Sequence, residues 1–120
     1  MLRASALTNK TQIDLAGVNG DESAAGTGVE FGTQLMKFAE SVATRDESAL
    51  KAARDELLQV AGEAVLVDAA GVAANFQRMV RIADSMGIPV DDMEEGMGKQ
   101  VREELNLERF PSAHNSLSMG

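Results

Sequence analysis

The chain has 120 residues, a length that suits one domain, and its 11 basic against 19 acidic side chains leave a formal net charge of −8. An acidic surface repels phosphate backbones, which argues against a nucleic-acid partner. Cysteine is absent; that removes disulfides, thiolate metal sites, CxxC redox chemistry and cysteine nucleophiles together, and it is compatible with a cytoplasmic location.

The opening stretch MLRASALTNKTQIDL has no apolar run of the length a secretion signal needs. No run approaches the roughly 20 apolar residues of a membrane span, so no membrane partner is expected. Residues 1–28, with the Gly- and Ser-rich GVNGDESAAGTG, read as a flexible or extended N-terminal arm. Docking of that arm on a protein partner is the other reading, and it would make the chain a small accessory subunit of a larger complex.

Residues 29–110 read as a helical domain and 111–120 as a C-terminal tail. Phe31, Leu35, Phe38 and Val42 recur at the spacing of one helix face, with Gln34, Lys37, Glu40 and Ser41 mostly off it. ATRDE interrupts, with Thr44, Asp46 and Ser48 as candidate caps. Leu50, Ala53, Leu57 and Val60 then form a second stripe, which Gly62 is placed to stop. A third helix is expected from about Glu63 to Met86. Its AVLVDAAGVAA is apolar nearly all round, the mark of a buried helix. Ala69, Ala70, Gly71, Ala73 and Ala74 permit close approach of a neighbour, while Phe76 and Met79 are assigned to the core. Gly87 and Pro89 end it. A fourth helix is expected near Asp91 or Asp92, with Asp92 and Glu95 at capping-box spacing and a stripe of Met93, Met97, Val101 and Leu105. Phe110 reads as an anchor seated in a groove.

Few residues offer chemistry. Asp68 lies in an otherwise apolar turn; buried, it would serve as an acid or base, and otherwise it caps, pairs or meets a mate helix. Asn75 lies two turns further on, nearly on the same face. Arg78 and Arg81 are a candidate site for a carboxylate, or ordinary ion-pair partners of Asp84, Asp91 and Asp92. His114 is the only histidine and sits in a polar tail, so neither a metal site nor a triad can be assembled and no cofactor is expected.

The run VLVDAAGVAANFQRMVRIADSMGIPVD, with small residues, a Phe, then RIAD and a Gly-Ile-Pro exit, resembles the long helix near the end of the alkylhydroperoxidase-like, carboxymuconolactone decarboxylase superfamily. The preceding FGTQLMKFAESVATRDESALKAARDELLQVAGEAVLVDAA is similar to that family's earlier helices, so the resemblance covers about residues 31–92. It implies an all-α fold and assembly through such helices. Peroxidase members carry a CxxC pair, a nearby His and an acidic proton relay; this chain has no cysteine, so no position inherits a catalytic role. The expectation is therefore an all-α bundle of four main helices, forming a homo-oligomer through the Ala-rich helix and acting as a non-catalytic scaffold or binding module. The alternatives are a decarboxylase-like enzyme or carboxylate binder using Asp68 with Arg78 or Arg81, and the accessory subunit above.

Overall fold

A computed structural model describes residues 2–26, 28–90 and 96–117. The chain is all-α, and among the described residues no strand occurs. Among the described residues six α-helices succeed one another: α1 (Leu2–Asn9), α2 (Glu22–Ala25), α3 (Gly32–Thr44), α4 (Glu47–Met86), α5 (Gly96–Glu104) and α6 (His114–Leu117). Short 3-10 turns lie at Leu15–Asn19, Leu107–Arg109 and Pro111–Ala113. The chain divides into two compact units, Met1–Gln77 and Arg78–Gly120.

The core of the first unit is small. Phe38 from α3 meets Ala53 and Leu57 from α4, and Phe31, Leu35, Val42 and Leu50 pack around them. These are the residues at which the helical period was legible. Val60, the last of its stripe, is instead exposed. Ser41, expected off the buried face, is buried beside Phe38. Its hydroxyl donates to the Phe38 carbonyl at 2.7 Å, so the polar group enters the interior with its hydrogen bond made. Gln34 Nε2 donates to Glu56 Oε1 at 3.4 Å, tying α3 to α4 at the rim.

The turn between α3 and α4 is built from two residues. Arg45 ends α3 in the left-handed region (φ 58°). Asp46 then opens α4: the backbone N–H groups of Ser48 and Ala49 both donate to its Oδ1 at 3.0 Å. The Ala49 amide, ahead of the Ser48 hydroxyl, holds the Asp46 carboxyl below its ordinary value of 3.8. Asp21 caps α2 in the same way, its carboxyl lowered first by the Ser23 hydroxyl and then by the amides of Ala24 and Ser23. A carboxylate depressed in the folded state contributes stability that is fully present above its unfolded value and is lost as pH falls through the folded one. Thermal melts should therefore weaken below about pH 4. The double variant Asp21→Asn, Asp46→Asn keeps cap-competent side chains that cannot titrate, so its decline over that range should be shallower. Identical acid limbs would show that neither cap couples folding to protons.

Gly62 breaks α4. It is the one residue in the helix with non-helical backbone, at φ 84° and ψ 173°, a region essentially closed to residues with a Cβ. A break at Gly62 was legible in the sequence; its effect on the phase of the downstream helix was not. The stripe Leu50, Ala53, Leu57, Ala61, carried on at 100° per residue, would next bring Ala64 and Asp68 to the core side. Instead Val65, Leu66 and Ala69 pack against the Phe38 cluster, and Ala64 and Asp68 are exposed. The break thus shifts the phase of the buried stripe by about a third of a turn.

Residues 63–86 do not form the buried helix that their composition suggested. Val67 is 68% exposed, Val72 58%, and Phe76 and Met79 are each 51% exposed. In the first unit Val65, Leu66 and Ala69 pack against the Phe38 cluster, and a core with so few large apolar residues does not enclose the rest. By length and composition α4 is also apolar enough to cross a membrane, which corrects the expectation drawn from uninterrupted apolar runs. The apolar window is 6% buried in the single chain, and Glu63 and Asp68 punctuate the helix.

The stretch read as an arm holds α1, a 3-10 turn and α2. Asp14 caps the 3-10 turn through the Ala16 amide at 2.9 Å. Ala6, Leu15, Ala24 and Ala25 are buried. Gly17 lies so close to α2 that a Cβ there would come within 2.6 Å of the Ala25 Cα. The small residues that looked like linker composition are there for close packing.

In the second unit α4 ends as its sequence indicates. Gly87 adopts φ 64°; its N–H donates to Asp84 at 3.3 Å and that of Ile88 to Ala83 at 3.1 Å. This is a Schellman closure, for which glycine is the favoured residue. The Asp92–Glu95 capping box and Met93 lie outside the described residues. Leu105 is buried. Phe110 is not the seated anchor expected: it is 43% exposed, and the Arg109 guanidinium lies over its ring at 4.8 Å. A cation on the ring face gives a partly exposed phenylalanine a partner without a groove. The tail also folds back within this unit, where the Val90 N–H donates to Ser116 Oγ at 2.7 Å.

Candidate functional site

The sequence candidates are all carried by α4 and divide between the two units. Asp68 and Asn75 belong to the first, Arg78 and Arg81 to the second. All four are exposed on the single chain. Acid–base catalysis by Asp68 needs a carboxylate withdrawn from water, which the single chain does not provide at this position. The phase shift at Gly62 is the reason: it turns Asp68 outward.

Three other carboxylates perform structural work. Asp21 and Asp46 are helix caps. Asp55 accepts from Lys51 Nζ at 2.8 Å and lies 3.9 Å from Arg54 Nε. The Lys51 ammonium, by hydrogen bond and charge, lowers the Asp55 carboxyl from its ordinary value. Both pairs sit on exposed side chains, where screening by water leaves little net stabilisation. Asp91 and Asp92, expected as partners of the arginines, lie outside the described residues. His114 is exposed, and no cluster of three or more His, Cys, Asp or Glu suited to a metal ion occurs among the described residues.

What stands out is an apolar surface. Between Gly62 and Gly87 one helix exposes Val67, Val72, Phe76, Val80, Ile82 and Met86. Apolar side chains left open to water in number are what association would cover. Asp68 and Asn75 lie among them in the first unit, Arg78 and Arg81 in the second. Sequence reasoning found these residues but assigned Phe76 and Met79 to the interior.

Fold and surface together define an all-α protein with a long, partly uncovered apolar helix. Comparison with known protein families, curated proteins and solved structures returns no match.

Proposed function

We propose that this chain is a non-catalytic helical protein of the alkylhydroperoxidase-like kind, acting as an oligomeric scaffold or binding module that associates through residues 63–86 of α4. The observation that carries this reading is the exposure of Val67, Val72, Phe76, Val80, Ile82 and Met86 along one helix. Burying such side chains gains about 25 cal/mol per Å² of apolar surface withdrawn from water, and the single chain leaves that gain unrealised. The VLVDAAGVAANFQRMVRIADSMGIP resemblance supports the same conclusion, since helices of that kind mediate assembly in the family. The absence of cysteine supports the non-catalytic part.

Two measurements test it. Size exclusion with light scattering at micromolar concentration should give a mass that is a multiple of one chain; a clean monomer over the accessible range rules the reading out. An assay with an organic hydroperoxide and a thiol reductant should show no turnover above the buffer blank, and enzyme-dependent turnover removes the non-catalytic part.

A further inference from the structure

The first unit holds a dipeptide whose chemistry is independent of α4. Of the chain's asparagines, only Asn19 precedes a glycine; Asn9, Asn75, Asn106 and Asn115 precede Lys10, Phe76, Leu107 and Ser116. A glycine without a Cβ leaves its own backbone nitrogen open to the side-chain carbonyl before it and reaches backbone angles that other residues avoid. Here both residues are exposed. Gly20 adopts φ 92°, and the space where its Cβ would stand is empty.

We propose that Asn19–Gly20 is a site of spontaneous deamidation, and that the modification uncouples the N-terminal segment from the rest of the first unit. The Gly20 nitrogen gives its proton to water and bonds to Asn19 Cγ. The Cγ–N bond of the side-chain amide breaks, and that nitrogen takes up a proton and leaves as ammonia. Water then opens the succinimide ring at either carbonyl, leaving aspartate or its β-linked isomer. No electron is transferred, and water is the only reagent.

The fold sets the rate. The Gly20 N–H donates to the Gly17 carbonyl at 3.2 Å and the Asp21 N–H to that of Ala16 at 3.3 Å, so attack waits on local opening of this turn. Asp14 holds the start of the turn through the Ala16 amide at 2.9 Å. The fold also sets the consequence. The β-linked isomer lengthens the main chain between residues 19 and 20, a linkage that both of those hydrogen bonds straddle. Gly17 already lies against Ala25, with a Cβ there falling 2.6 Å from the Ala25 Cα, so the lengthened chain cannot keep both contacts. Either product also adds a negative charge beside Asp21 and Glu22.

Incubating the full chain at mildly alkaline pH, followed by tandem mass spectrometry of its peptides, tests this. Aspartate and isoaspartate should accumulate at residue 19 ahead of the other asparagines. Asp14→Ala, which removes the cap, should speed the conversion about fivefold; Asp14→Asn, which keeps a capping side chain, should not. Amide exchange of the aged protein should quicken at Ala6, Leu15, Ala24 and Ala25 and stay unchanged at Phe38 and Leu57, whereas Asn19→Gln aged alongside should keep its exchange pattern. An intact Asn19 in the folded chain, while the urea-unfolded chain converts, overturns the site. Conversion elsewhere at an equal rate does the same. An Asp14→Ala rate equal to wild type, in a variant whose circular dichroism is unchanged, overturns control by the turn. An aged chain with unaltered exchange over residues 2–26 overturns the uncoupling.

Discussion

Replacing Leu57 with alanine is expected to cost about 2–5 kcal/mol of folding stability, the range for removing a large aliphatic side chain from a packed interior. Leu57 is 0% exposed and touches the Phe38 side of the core. It is the only described residue sealed to that degree. The cavity has little chance to collapse, because Ala53 beside it is already small. Urea unfolding followed by far-UV circular dichroism would measure the effect. A loss below about 1 kcal/mol would place Leu57 outside the cooperative core, since surface substitutions stay within about half a kcal/mol. Leu58, its exposed neighbour, is the control and should tolerate alanine at a much smaller cost.

The second large effect is expected at Gly62. Open space surrounds the position where a Cβ would be added, so Gly62→Ala introduces no collision. Its cost comes from the backbone alone. A residue with a Cβ held at φ 84° and ψ 173° is strained by about 1–3 kcal/mol. The chain can escape that strain by closing the break into one continuous helix, which alanine favours over glycine by about 1 kcal/mol. In continuous register Asp68 rotates toward the side now occupied by Leu66 and Ala69, and burial of an unpaired charge is costlier than the strain it relieves. Both routes lower stability. A rise in helical ellipticity together with a lower melting temperature would identify the second route. An unchanged melting temperature would show that the phase shift at Gly62 contributes nothing to the core.

Much of the architecture was legible because it depends on local chemistry. Asp46 as a cap, Gly62 as a break and the Gly87 closure arise from what those residues do to the backbone, whatever surrounds them. The Phe38–Leu57 contact was readable from periodicity. The early helical turns were missed because α2 and the 3-10 turn are too short to show a period, and their signals, Asp14 and Asp21 as caps, sit in composition that otherwise reads as linker. The burial of residues 63–86 was misjudged for a different reason. An apolar circumference states that a helix favours cover, not which molecule supplies it. Phe110 was misplaced because sequence cannot distinguish a groove from a neighbouring guanidinium. The outward direction of Asp68 depends on the backbone angles of Gly62, which no spacing rule encodes.

The sparseness of the interior has a consequence for how the protein behaves in solution. One fully sealed leucine and a few half-covered neighbours leave a lone chain a narrow margin over its unfolded ensemble. Where copies associate, mass action joins the two equilibria, and the apparent melting point climbs with the logarithm of protein concentration. Under the association proposed above, dilution would act on this chain as a denaturant acts on a larger one.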